Sequence, residues 1–275
     1  MAIVRAVDWK FRCPPEDAVR WVQHALTQAE LGNVQTDGNR VSASSARSIR
    51  KNRWAAEVIA DVSALPEGSE VAWRIEMAGG TKHFELLDSI AELIPEAVFD
   101  DRGIAAAVDR LGKAGRLFGR KEVRHLHNVI RSTEEVVELG QGRIGDKQGI
   151  VVLTTERLFF FERSMLGSES TQEFELSVIQ ALNVSKKLTG ERIEVAYAGT
   201  RAEITHMQHG QADSIVRAFH RMRRQDGVVA SPPSPTDFAA PDPIEQLKKL
   251  AQLRDQGILT PEEFEAKKTD LLSRM

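Results

Sequence analysis

The sequence predicts a multidomain α+β chain: an N-terminal α+β domain, a strand-rich domain closed by one helix, and a C-terminal helical hairpin. Three observations predict it. Apolar and polar residues alternate from Val71 to Met77 and from Ile193 to Tyr197, the period of half-buried strands. Two unbroken apolar runs, Ile150–Leu153 and Leu158–Phe161, flank the short polar connection Thr154-Thr155-Glu156-Arg157. A cluster of prolines between Asp226 and Pro241 precedes a last segment of helical periodicity.

In chain order, residues 3 to 9 read as a strand, and Pro14-Pro15 opens a helix with Glu16 and Asp17 at its positive end. Val19, Val22, Leu26 and Ala29 share one face of that helix, and Gly32 is expected to stop it. Thr36-Asp37-Gly38-Asn39 has hairpin chemistry, and Pro66-Glu67-Gly68-Ser69 turns the chain into the Val71–Met77 strand. A helix over 81–94 is expected to pack Phe84, Leu87, Ile90 and Leu93 inward. All four tryptophans, Trp9, Trp21, Trp54 and Trp73, fall in this region, which points to a large core or an apolar cavity.

Residues 103–131 change character. Ile104, Val108, Leu111 and Phe118 trace an apolar stripe, surrounded by Arg110, Lys113, Arg116, Arg120, Lys121, Arg124 and Arg131. Gly112, Gly115 and Gly119 weaken helix locally, so two helical pieces with a joint near Gly119 are expected. Strands follow from Val136 onward, with turns at Gly167 and Gly190 and a last strand over 202–205. A helix then buries Ile215, Phe219 and Met222. The linker over 226–241 holds Pro232, Pro233, Pro235 and Pro241 and cannot bury enough apolar surface to offset its ordering entropy.

The tail is the most legible segment. Ile244, Leu247, Leu250 and Leu253 form an apolar helical edge that Gly257 ends, with Ile258 placed to pack back. Thr260-Pro261-Glu262-Glu263 is a capping box with proline at the first helical position, and Phe264, Leu271 and Leu272 follow. Such a hairpin, at about 30 residues, needs a partner surface to be stable. The expected divisions are therefore 1–98, basic connecting helices over 99–131, 132–225, the linker 226–241 and the hairpin 242–275.

Composition excludes several functions. The formal net charge is -3, from 37 Lys plus Arg against 40 Asp plus Glu, so binding to a polyanion must come from a local patch. A single cysteine, Cys13, excludes an internal disulfide and Cys-rich metal sites, and fits a reducing compartment. No stretch has signal-peptide or membrane-spanning character, and a cytoplasmic protein is expected. His125-x-His127 and His206-x-x-His209 lack neighbouring cysteines and are read as surface or capping histidines rather than metal ligands. No Gly-x-Ser-x-Gly elbow occurs, and Gly112–Gly119 follows a basic helix rather than a strand, which is not a phosphate cradle. Catalytic residues, metal and cofactor are all expected to be none.

Leu247-x-x-Leu250, Asp255-x-Gly-Ile-Leu-Thr260, Glu262-Glu-Phe264 and Lys267-Lys268 stand in the order and spacing of the short C-terminal domain called SHOCT, which the tail resembles over nearly its whole length. His127-Asn-Val-Ile130, Gly149-Ile-Val-Val-Leu-Thr-Thr-Glu-Arg-Leu-Phe-Phe160, Phe174-Glu-Leu-Ser-Val-Ile179 and Gly190-Glu-Arg-Ile-Glu-Val195 resemble a bacterial PH-like domain of the YokE-like kind over 122–224. That resemblance implies a PH-like β-barrel with a C-terminal helix and a frequent partnership with SHOCT tails, and it implies no ligand. The element order of residues 1–95 is similar to helix-grip (START or polyketide-cyclase-like) domains.

The function expected is a non-enzymatic interaction or scaffold protein. Its tail residues Ile244, Leu247, Leu250, Leu253, Ile258, Phe264, Leu271 and Leu272 would mediate oligomerisation or protein docking. Peripheral binding to an anionic membrane through the PH-like domain and the basic helix, with Arg110, Lys113, Arg116, Arg120, Lys121 and Arg124 as contacts, is an alternative, with nucleic acid behind it, while a plain solvated helix ranks above both. Arg157, Arg163, Lys186, Lys187 and Arg192 near strand turns are read as a scattered solvated set. A carrier of hydrophobic small molecules, using a cavity in the Trp-rich domain, is the third reading.

Overall fold

The computed structural model describes residues 2–47, 54–78, 82–111, 120–163, 169–187 and 190–225. The linker, the tail and residues 112–119 lie outside them, and with them the expected joint near Gly119 and the helices expected of the tail. Met1–Met222 form one compact unit that contains two antiparallel sheets.

The first sheet is built from β1 (Ala2–Phe11), β2 (Gly32–Asp37), β3 (Arg40–Ser45), β4 (Ala56–Leu65), β5 (Gly68–Ala78) and β6 (Phe99–Asp100), in the order β2-β3-β4-β5-β1-β6. Its strands alternate as the sequence requires. Val7, Trp9, Phe11, Val58, Ala60, Val71, Trp73 and Ile75 face a core, while Asp8, Glu57 and Arg74 face solvent. Helices α1 (Pro15–Gln28) and α2 (His83–Ala91) cover the inner face through Ala18, Val22, Ala25, Leu26, Leu87 and Ile90. Each large apolar side chain fully buried in this way stabilises the fold by roughly 1.5–3 kcal/mol. Helix α1 ends before Gly32: the reversal falls at Glu30, in the left-handed region at φ 57°, and Gly32 already belongs to β2. Gly68, at φ 102°, makes the β4–β5 turn where a Cβ would collide with the Phe11 carbonyl.

The chain then crosses to the second sheet through α3 (Ile104–Arg110), α4 (Arg120–His125) and one 3-10 turn, Leu126–Asn128. That sheet contains β7 (Val136–Ile144), β8 (Lys147–Thr154), β9 (Arg157–Arg163), β10 (Glu169–Glu175), β11 (Ile179–Lys187), β12 (Gly190–Tyr197) and β13 (Thr200–Met207). Its order is β10-β9-β8-β7-β13-β12-β11, and α5 (Gln211–Gln225) closes it. The result is the PH-like strand domain with a terminal helix.

The unbroken apolar runs of β8 and β9 have a direct cause. Val151, Leu153, Leu158 and Phe160 point into the core that α5 seals with Ile215 and Phe219. Ile150, Val152, Phe159 and Phe161 point the other way, onto Ile104, Ala107, Leu126 and Ile130 of the connecting segment. Both faces are dry, so neither can carry the polar half of an alternation. The segment 99–131 is accordingly packed on both sheets: Phe99 and Asp100 pair with β1, and α3 and the 3-10 turn cover β7–β9.

Candidate functional site

The connecting segment brings polar side chains of both sheets to one buried point. Asp88 lies one turn beyond Phe84 on α2, where an inward-facing position would otherwise be apolar. Its Oδ1 accepts hydrogen bonds from His125 Nδ1 at 2.7 Å and Asn128 Nδ2 at 2.8 Å, and its Oδ2 accepts one from Arg163 Nη1 of β9 at 2.9 Å. Asn128 Oδ1 in turn accepts the indole N–H of Trp9 from β1 at 2.9 Å. Three elements from distant parts of the chain thus meet on one carboxylate.

Rings fill the surroundings. His125 sits edge-on to Phe84 at 4.5 Å and stacks on Phe161 at 6.0 Å, and His127 meets the edges of Trp9 and Phe99 at 5.4 and 5.6 Å. Burial alone would raise the Asp88 carboxyl, but the His125 bond and charge and the Arg163 bond outweigh it and hold the group below its ordinary value. Burial drives His127 down to about 4, against the opposing pull of Asp88.

A second buried network adjoins the first. Arg102, in the left-handed region at φ 50°, donates to the carbonyls of His127, Ile130 and Arg131 at 2.7, 3.1 and 2.8 Å and so fixes the 3-10 turn and its exit. Burial lowers this guanidinium to about 10. Glu134, fully buried, receives Arg157 Nε at 2.6 Å, and Arg157 reaches Glu173 at 2.5 Å and the Val129 carbonyl at 3.0 Å. Arg131 joins from the rim, bonded to Glu175 at 2.7 Å, and that bond is the first cause of its raised pKa.

These contacts correct two expectations. His125 and His127 are buried rather than on the surface, because the hydrophobic faces of two sheets close over them; His206 and His209 are exposed as expected. Arg157 and Arg163 are not solvated but held by Glu134 and Asp88. Lys186 and Arg192 also pair internally, with Asp213 and with Glu203, and the Lys187 side chain lies outside the described residues. In the connecting segment, Arg110 pairs with Glu138 at 3.2 Å and Arg124 with Glu92 at 3.1 Å. Lys113 and Arg116 lie outside the described residues, as do the side chains of Arg120 and Lys121 and the whole apolar edge of the tail.

Chemically, the Asp88 junction is a saturated hub. Both carboxylate oxygens are occupied by protein donors, which leaves the group no role as a free base. Among the described residues no group of His, Cys, Asp and Glu is arranged to hold a metal ion, and no helix is long and apolar enough to cross a membrane. Trp9 and Trp73 pack on each other with ring centroids 4.8 Å apart inside the first core. Asp88 and Arg102 carried no local signal that singled them out, and Asn128 stood only within the motif that the PH-like resemblance rests on.

A polar hub joins two antiparallel β-modules, and a helix closes the second. Residues 130–220 match the family model of the bacterial PH domain, and residues 245–272 match that of the short C-terminal domain SHOCT. Both resemblances read from the residues are borne out. No curated protein matches the chain. Among solved structures, a pleckstrin homology domain from Shewanella amazonensis SB2B is similar at 12% identity and a TM-score of 0.27, covering 38% of this chain and 96% of that one. The di-domain ARO/CYC StfQ from the steffimycin biosynthetic pathway is similar at 10% identity and a TM-score of 0.23, covering 83% of this chain and 93% of that one.

Proposed function

We propose that the chain is a non-enzymatic interaction protein in which the two β-modules form one joined platform and the SHOCT tail oligomerises or docks on a partner. The observation that carries this reading is the Asp88 hub, which spends its polar groups on joining the modules instead of on a ligand. The tail match beyond a proline-rich linker supports it, since the apolar edge that the sequence predicts for Ile244, Leu247, Leu250 and Leu253 needs cover.

The competing readings have less support. Arg110, Arg124 and Arg131 already bind Glu138, Glu92 and Glu175, which withdraws charge from an anionic-membrane surface. The contact between Trp9 and Trp73 occupies core volume that a hydrophobic ligand would need. A direct test uses two differently tagged copies of the chain. At high salt, Leu250→Asp with Leu253→Asp should abolish both capture of one copy by the other and recovery of any partner. Undiminished capture and recovery would overturn the reading.

A further inference from the structure

Two surfaces of opposite charge are left without partners among the described residues. The first is a ridge of α5, where Arg217, Arg221 and Arg224 are exposed at spacings of four and three residues. It runs along one side of the helix for about 10 Å. Most of the other described arginines are paired: Arg12, Arg40, Arg110, Arg124, Arg163 and Arg201 each hold a carboxylate. Among the described residues no carboxylate pairs with the three of the ridge, and the single acid of α5, Asp213, is engaged by Lys186. The helix dipole accounts for cations in the last turn, but Arg217 lies in the middle of the helix.

The second surface is the open face of the first sheet. Its register sets Glu57 directly across from Glu76, and like charges so placed are destabilising. Asp8 stands on the same face near Glu70; burial raises its carboxyl first and Glu70 raises it further, against the opposing pull of the Arg102 charge. None of these four acids has an ion-pair partner among the described residues; the cations near them are Lys10, Arg74 and Arg102, whose charge acts on Asp8 and Glu70, while Arg40 is taken by Asp61. Val4, across from Glu76, is one of two large hydrophobics exposed among the described residues.

We propose that the arginine ridge of α5 docks on this open acidic face of a second copy of the chain. The contact joins different surfaces of the two copies, so it propagates head to tail. Surface ion pairs are individually weak and screened by salt, so the association is modest and salt-sensitive. The exposed side of α5 carries one ring, His220, beside the arginines, but none of its large apolar side chains is exposed to enter a bilayer. A complementary acidic face is meanwhile present on the chain itself. The contact does not use the tail and goes beyond the function proposed above.

Sedimentation velocity of the full chain at low and high ionic strength tests it. The wild-type average mass should fall as salt rises. Arg217→Glu/Arg221→Glu/Arg224→Glu and Glu57→Lys/Glu70→Lys/Glu76→Lys should each lose the salt-sensitive part of the mass, and an equimolar mixture of the two variants should regain it. Any mass that survives high salt and vanishes only when residues 242–275 are removed belongs to the tail, and the reversals should leave it alone. A wild-type mass indifferent to salt would overturn the proposal, as would a mixture that regains nothing. So would ridge-dependent binding to duplex DNA or phosphatidylserine vesicles with self-association unchanged by the reversals.

Discussion

Asp88 of the first module and Arg163 of the second form an ion pair at 2.9 Å, with both side chains almost wholly out of solvent. A charge pair in that setting is favourable only when its remaining bonding capacity is met, and here His125 and Asn128 meet it. The junction therefore depends on all its members at once.

Asp88→Ala should leave the Arg163 cation and the polar groups of His125 and Asn128 buried around a hole. Removing one partner of such a pair costs about 3–5 kcal/mol. Urea denaturation followed by tryptophan fluorescence measures it, since Trp9 is bonded into the same network. A loss below about 1 kcal/mol, the scale of an exposed pair, would show that the hub is solvated in solution.

Glu134 and Arg157 form a buried pair of the same kind. Either Glu134→Leu or Arg157→Met alone should destabilise by about 3–5 kcal/mol, whereas the double change should cost clearly less than the two singles together. Stability measured on all four chains gives the coupling directly. Strict additivity would contradict the geometry.

His127 titrates well below its ordinary value of 6.5, at about 4, because it is buried. Between these values the unfolded chain binds a proton that the folded chain does not. Stability therefore rises with pH across this window and is lost on acidification through it, by on the order of 3 kcal/mol. The depressed carboxyl of Asp88 adds a further loss below its unfolded value of 3.8. Urea midpoints measured from pH 4 to pH 7 should slope upward in the wild type and flatten in His127→Gln.

Gly149 lies where β8 presses against β9. A Cβ there would collide with the Phe161 carbonyl and come within 2.9 Å of Phe160 Cζ. Gly149→Ala should lower stability by about 1–3 kcal/mol, the usual cost of overpacking, seen as a lower melting temperature. Gly145→Ala has open space and is the control for steric crowding, though its φ of 57° still carries a small strain.

The strands were legible where side chains obey a local period. Val71, Trp73, Ile75 and Met77 all lie inward, and the runs Ile150–Leu153 and Leu158–Phe161 are strands as read. Their doubly apolar character was visible, but its cause, a connecting segment folded over the outer face, was not. The hub was illegible for a different reason. His125, Asn128 and Arg163 reach Asp88 across 37, 40 and 75 residues, and no local pattern encodes such a meeting. His125-x-His127 drew notice, but spacing alone does not say whether the pair faces water or a second sheet. Arg157 and Arg163 misled because arginine near a strand turn is usually solvated, whereas here the acids that hold them come from other elements.

The claim most open to contradiction is that the tail joins this platform to other molecules. Its most direct test is the solution mass of the full chain beside that of the chain without residues 242–275, at high salt and over a range of concentrations, with partner recovery scored on the same samples. The account predicts that deletion lowers the mass or abolishes recovery while the two β-modules keep their stability. An unchanged mass together with unchanged recovery would contradict it.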